Sequence, residues 1–136
     1  MLEQWEADRL LAMRKVYSTT VRVDLGIGVN GFYALESDDE TESFLLDIFR
    51  GRLNPTKARY QLRYQREVVL ARLCTSVEHT NPDGERIEPP HLHRYDAEFS
   101  DKIAAHVGPF EDITAALNFF CDRINAPRPE VQGGIS

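Results

Sequence analysis

The apolar residues of this chain change their spacing twice, and no other feature limits its fold as much. Near the N-terminus Ala7, Leu10, Met13 and Tyr17 recur at helical intervals, with Leu11 widening the stripe. The spacing predicts a helix from about Gln4 to Tyr17. Glu3, Glu6 and Asp8 lie near its start and Arg14 and Lys15 near its end, as the helix dipole favours. The period then drops to two. "TTVRVDL" sets Val21, Val23 and Leu25 against Arg22 and Asp24, and "ARYQLRYQ" sets Tyr60, Leu62 and Tyr64 against Arg59, Gln61, Arg63 and Gln65. The helical period returns over Glu111 to Ile124, where Ile113, Ala116, Leu117, Phe120, Cys121 and Ile124 fall on one face until "NAPRP" stops the helix.

Between these helices the other strand candidates are "GFYALES", "SFLLDIFRG", "VVLARLCTS", "HLHRYD" and "DKIAAHVG". Phe44, Leu46 and Ile48 on one side and Leu45 and Phe49 on the other predict a central strand buried on both faces. A bulge is expected near Arg66 and Glu67. Asn81-Pro82-Asp83-Gly84 suits a type I turn with His79 at its base. "GIGVNG" opens no helix and carries no Lys-Ser/Thr, which argues against a phosphate loop. A helix, a run of strands and a helix make an α+β fold: an antiparallel β-sheet flanked by an N-terminal and a C-terminal helix. The helices cover one face and leave the other as a working surface. A length of 136 residues predicts a single domain over 1–136, with 126–136 an extended tail.

No apolar run approaches the ~20 residues of a membrane span, and the N-terminus lacks a signal-peptide pattern. A soluble cytoplasmic protein is expected. Cys74 and Cys121 stand far apart with no CxxC partner, so free thiols are expected and a zinc ribbon is excluded. The net charge of −6 argues against a general nucleic-acid coat protein. The charge is uneven, however. Arg50, Arg52, Lys57, Arg59, Arg63, Arg66 and Arg72 form a basic middle, whereas acids crowd "ESDDETE".

The stretch "EPPHLHRYD" carries the chemistry. Alternation along a strand would put His91, His93 and Tyr95 on one face and Leu92 and Arg94 on the other.

"FLLDIFRGR", "HTNPDGE" and "PPHLHRYD", in that order, resemble an uncharacterised bacterial family, a domain of unknown function with an NPDGE…PHLHxY motif. Its other elements correspond to Glu6 to Ala12, Tyr60-Gln61, Asp101-Lys102 and the helix from Ile113 to Ile124. The chain departs from the pattern at Ile103, where an aromatic is usual, and at "DAEFS", which replaces a glycine-containing segment. The resemblance implies one intact domain and a motif centred on His79, His91, His93 and Tyr95. It brings no activity.

Three chemistries fit these residues. Acid–base cleavage of RNA, as in toxin-like endoribonucleases of mobile elements, would use His79, His91, His93 and Tyr95, with Arg59, Arg63 and Arg72 on the phosphate. It needs no cofactor and no metal. An acidic inhibitor of a nucleic-acid enzyme, of the phage anti-defence type, would instead bind a protein partner through Glu36, Asp38, Asp39, Glu40 and Glu42. A metal protein would use His91 and His93, with His79, Glu85, Asp96 or Glu98 completing the shell. A cupin-like reading of Gly84, His91, His93 and Glu98 has a displaced glycine, and His106 comes too soon to serve as its last ligand. His106 is read as structural. The expected partners are therefore RNA or a protein, without a membrane, and a homo-oligomer is compatible with the sequence.

Overall fold

The computed structural model describes residues 1–133. Two helices, α1 (Gln4–Ala12) and α2 (Ile113–Arg123), pack on one face of an antiparallel sheet, which is the expected α+β fold. The strands in chain order are β1 (Lys15–Tyr17), β2 (Arg22–Asp24), β3 (Asn30–Ser37), β4 (Ser43–Arg50), β5 (Ala58–Tyr64) and β6 (Val68–Cys74). They continue with β7 (His79–Thr80), β8 (Arg86–Ile87), β9 (His91–Arg94), β10 (Ala104–His106) and β11 (Glu130–Gln132). The main sheet has seven strands in the order β1-β3-β4-β5-β6-β9-β10. No helix among the described residues is long and apolar enough to cross a membrane.

Helix α1 starts on a capping box between Glu3 and Glu6 and buries Ala7, Leu10 and Leu11. It ends at Ala12, not at Tyr17. Lys15 to Tyr17 instead pair with β3, because the Lys15 ammonium turns back onto the carbonyls of Leu10 and Leu11 and closes the helix. Helix α2 is capped by Asp112, whose carboxylate accepts the Ala115 N–H at 2.7 Å. Its buried residues Ile113, Ala116, Leu117, Phe120 and Cys121 match the predicted stripe. The Tyr60 hydroxyl donates to the Ile113 carbonyl at 2.8 Å and fixes the start of α2 on β5.

The core lies between these helices and the inward residues of the strands, Leu35, Phe44, Leu46, Ile48, Leu62 and Leu73 among them. Strand β4 is fully buried on this side only; Leu45, Asp47 and Phe49 are half-buried on the other. The two-sided burial expected for it is corrected, because no helix covers the second face. The tail is extended at Glu130–Gln132, where it pairs in parallel with β2; positions 134–136 lie outside the described residues.

The β5–β6 hairpin turns at Gln65 and Arg66, both with positive φ, and the Glu67 N–H donates to the Tyr64 carbonyl. The ladder slips between Leu62 and Arg63, so that Leu70 is the extra residue. The bulge therefore sits inside the hairpin and not at Arg66–Glu67. Arg50 leaves the basic surface altogether. It is buried and donates to the carbonyls of Pro55, Leu25 and Gly133.

Candidate functional site

The open face of the sheet is read from its register. On β6 and β9, Arg72 stands opposite His93 and Cys74 opposite His91. One strand further, Gln61 faces Arg72 and Arg59 faces Cys74. Cross-strand partners share a face, so one thiol, two imidazoles and two guanidinium groups converge there. Strand β7 adds His79, whose ring centroid lies 4.5 Å from that of His93 and 5.6 Å from that of His91. The His91 and His93 rings are 4.8 Å apart. Together these groups line a cleft of about 480 Å³ whose rim includes Lys57, Arg59 and Glu78.

Hydrogen bonds fix the tautomers of two of the rings. Nδ1 of His93 lies 2.7 Å from the Asp101 carbonyl, which only accepts, so Nδ1 carries the proton and Nε2 keeps its lone pair. The Arg72 Nη2, 3.4 Å from that same Nδ1, therefore has no acceptor there, and the guanidinium is held through Nη1, which donates to the Asp101 carboxylate at 2.5 Å. Nε2 of His79 donates to the Lys102 carbonyl at 2.7 Å and leaves Nδ1 as its acceptor. Asp101 and Lys102 thus orient two histidines through their backbone. Nδ1 of His91 is buried and has no partner among the described residues.

Burial sets the electrostatics. It lowers the His91 pKa to about 4, helped by His79, Arg72 and His106. It lowers that of His93 to about 4 as well, helped by Arg72 and opposed by the Asp101 carbonyl. Both rings are neutral at pH 7, the form that binds a metal. Burial raises the Cys74 thiol against the pull of Arg72.

Cys74, His91 and His93 each offer a ligand atom, and these three atoms lie within 4.8 Å of one another. Tetrahedral zinc separates its ligand atoms by roughly 3.5 Å, so small side-chain adjustments close the set. Of the other expected shell members, His79 stands beside the set and the three acids are elsewhere. Asp96 accepts the N–H groups of Glu98 and Phe99 in its own turn, and Glu85 and Glu98 are exposed. Gly84 closes the predicted turn by donating to the Asn81 carbonyl at 2.9 Å. His106 is exposed on the edge strand β10, with Nδ1 3.0 Å from the Glu88 carbonyl.

Tyr95 does not share the histidine face. The strand ends at Arg94, the Tyr95 N–H donates to the carbonyl of the bulged Leu70, and the ring lies in the core. Its hydroxyl donates to the Leu2 carbonyl at 2.6 Å, ahead of α1. The bulge breaks the two-residue alternation that the sequence implies.

The arginines divide. Arg63 forms a bidentate pair with Asp47, Arg72 pairs with Asp101, and Arg59 stacks over the Phe49 ring at 4.9 Å with no acid beside it among the described residues. In the acidic loop, Asp39 accepts the hydroxyls of Ser37 and Thr41, which lowers its pKa, and Glu42 accepts the Tyr64 hydroxyl. Glu36 is half-buried, and Asp38 and Glu40 are exposed.

Cys74 is the candidate ligand that sequence reasoning missed. Its two-residue offset from Arg72 hinted at the face, but only the pairing with His91 reveals the site. No curated protein and no solved structure matches the chain. A family model does match, over residues 2–126, and the chain belongs to that family of unknown function, DUF6978.

Proposed function

We propose that the chain is a metalloprotein holding a zinc-class divalent ion between Cys74, His91 and His93, with one position open to the cleft. The observation that carries this reading is the convergence of one thiol and two imidazoles across β6 and β9. Thiolate and imidazole together suit zinc. The backbone carbonyl behind His93 is the outer-shell partner that metal-bound histidines use, and an ion would satisfy the unpartnered His91. Zinc with three protein ligands activates water and polarises a bound oxygen. His79 stands beside the set with a free lone pair, placed to accept a proton. A thiol ligand has to stay reduced, which agrees with the cytoplasm.

Metal-free cleavage of RNA is the second reading, favoured by Arg72 beside His93. It has less support. His91 and His93 are 2% and 1% exposed, and a general acid or base must touch its substrate. The inhibitor reading keeps only Asp38 and Glu40 as exposed acids outside the loop's own hydrogen bonds.

The test is metal analysis of the purified chain, followed by cobalt substitution. About one zinc per chain is expected, with a sulfur-to-cobalt charge-transfer band that disappears in Cys74→Ser. A chain that binds no zinc on reconstitution, or a cobalt spectrum indifferent to Cys74→Ser, overturns the reading. RNA cleavage that survives EDTA and depends on His91 would put the metal-free reading first.

A further inference from the structure

Two rows of cross-strand partners cross the open face. One runs Phe32, Asp47, Gln61, Arg72, His93 over β3, β4, β5, β6 and β9. Its neighbour runs Asn30, Phe49, Arg59, Cys74, His91 over the same strands. At a strand spacing of ~4.8 Å, four steps make each row about 19 Å long. A shallow cavity of about 430 Å³ lies between Phe32 and Arg63, and it shares Arg59 and Gln61 with the histidine cleft. The two hollows adjoin at Arg59 and Gln61 and together make a shallow groove along the open face, with aromatics at one end and the candidate metal ligands at the other.

The groove's chemistry is uneven in a useful way. Asp47 is neutralised by Arg63, and Asp101 by Arg72. Lys57 and Arg59 remain without an acidic partner among the described residues, on a chain whose net charge is −6. Phe32 is 62% exposed at the far end of the groove and offers a bare ring face there. An exposed aromatic ring and unpaired cations on an open antiparallel sheet match the needs of unstacked bases joined by phosphates.

We infer that this groove binds a single-stranded polynucleotide, with a base stacked on Phe32, backbone phosphates on Arg59 and Lys57, and the strand leading into the histidine cleft. The inference deepens the metal reading by naming its substrate class, and it rests on that reading for calling the strand a substrate. The cations at the cleft favour a polyanion, and the row of flat, sequence-tolerant contacts favours a strand whose bases are unpaired.

The experiment is a fluorescence-anisotropy titration of the zinc-reconstituted full chain with labelled single-stranded RNA and DNA of one mixed sequence. A duplex and an acidic peptide serve as competitors, and zinc is measured on every sample. Phe32→Ala and Arg59→Glu, both at exposed positions, leave the candidate ligands intact. Binding of either single strand supports the inference, and the stronger of the two names the polymer. Phe32→Ala should weaken it about five-fold or more. Arg59→Glu should weaken it about ten-fold and flatten its salt dependence. No binding at low salt, affinity indifferent to both substitutions, or equal competition by duplex or acidic peptide overturns it. Zinc bound without oligonucleotide binding sinks the groove and spares the metal site. Oligonucleotide binding by a chain that cannot hold zinc does the reverse.

Discussion

The Lys15 ammonium lies 2.7 Å from the carbonyl oxygen of Ile124, and it also reaches the carbonyls of Leu10, Leu11 and Met13 at 2.8, 3.1 and 2.8 Å. One fully buried cation thus satisfies the ends of both helices, where carbonyls lack helical partners, and it sits 4.9 Å from the Phe44 ring centroid. Lys15→Met keeps most of the volume and strands the carbonyls of Leu10, Met13 and Ile124, while Leu11 still accepts from the Asn125 amide. We expect it to cost about 3 kcal/mol, read as a lower urea midpoint with an unchanged slope. A cost under about 1 kcal/mol would mean that water replaces the ammonium.

Lys15 also gives stability a pH dependence whose sign can be worked out. Burial lowers its pKa from 10.5 to about 8. Below pH 8 the lysine is protonated in both states, so it adds no slope. Between about 8 and 10.5 the unfolded chain binds the extra proton, so this group's contribution to stability rises with pH. The deficit of Lys15→Met relative to the parent should widen over that window, by on the order of 3 kcal/mol. A deficit that narrows instead would show that the four carbonyls hold the proton more strongly than burial expels it.

Zinc should stabilise the chain, because binding to the folded site alone adds free energy by mass action. At a hundredfold excess over the dissociation constant the gain is about 2.7 kcal/mol, which for a domain of this size is a rise in Tm of roughly 10 °C. Scanning calorimetry with zinc and with a chelator should show that gap in the parent. Cys74→Ser and His91→Ala should close most of it. A parent whose Tm ignores zinc would count against the site.

How far this arrangement was legible depends on whether a feature is local. The strand β5 and the stripe of α2 are periodic over their own length, so the sequence carries them. Cys74 opposite His91 is a matter of register. It is set by how β9 returns to β6 after the excursion through β7 and β8, which the alternation of "VVLARLCTS" does not reveal. Tyr95 fails for the same reason, since counting by two from His93 crosses the point where the bulge takes its N–H. The residues 21–25 read correctly as extended, yet their partner is β11, about a hundred positions away. The oversized first helix reflects Lys15, whose helical propensity says nothing about a side chain that closes the helix from outside.

Asp101 should tune the site without forming part of it. Its carbonyl orients His93 and its carboxylate holds Arg72, so it is a positioning residue. Asp101→Asn keeps the shape and weakens the hold on Arg72. We expect zinc affinity to fall about ten-fold, as for other partners behind a metal ligand. The ion pair is partly exposed on both sides, so the cost in stability should stay under about 1 kcal/mol. Competition against a chromophoric chelator and a urea titration separate the two effects. Unchanged affinity would show that the segment holds His93 without its carboxylate.

Asn81 supplies the last prediction. Its side-chain amide donates to the Ala104 carbonyl and accepts the Ala104 N–H, each at 2.9 Å, so it replaces a missing strand partner for β10. The amide is buried at the foot of the NPDG turn, and the segment it holds follows directly on Asp101 and Lys102, whose carbonyls orient the histidines. Asn81→Leu fits the space but leaves a buried donor and acceptor unpaired, at a cost of about 2–3 kcal/mol. Asn81→Asp restores only the acceptor and should fall between. Hydrogen exchange should speed up at the Ala104 amide before it does at Leu73 in the interior strand β6, because the edge opens locally. Equal acceleration at both positions would mean that Asn81 stabilises the whole domain and not the edge that carries the histidine supports.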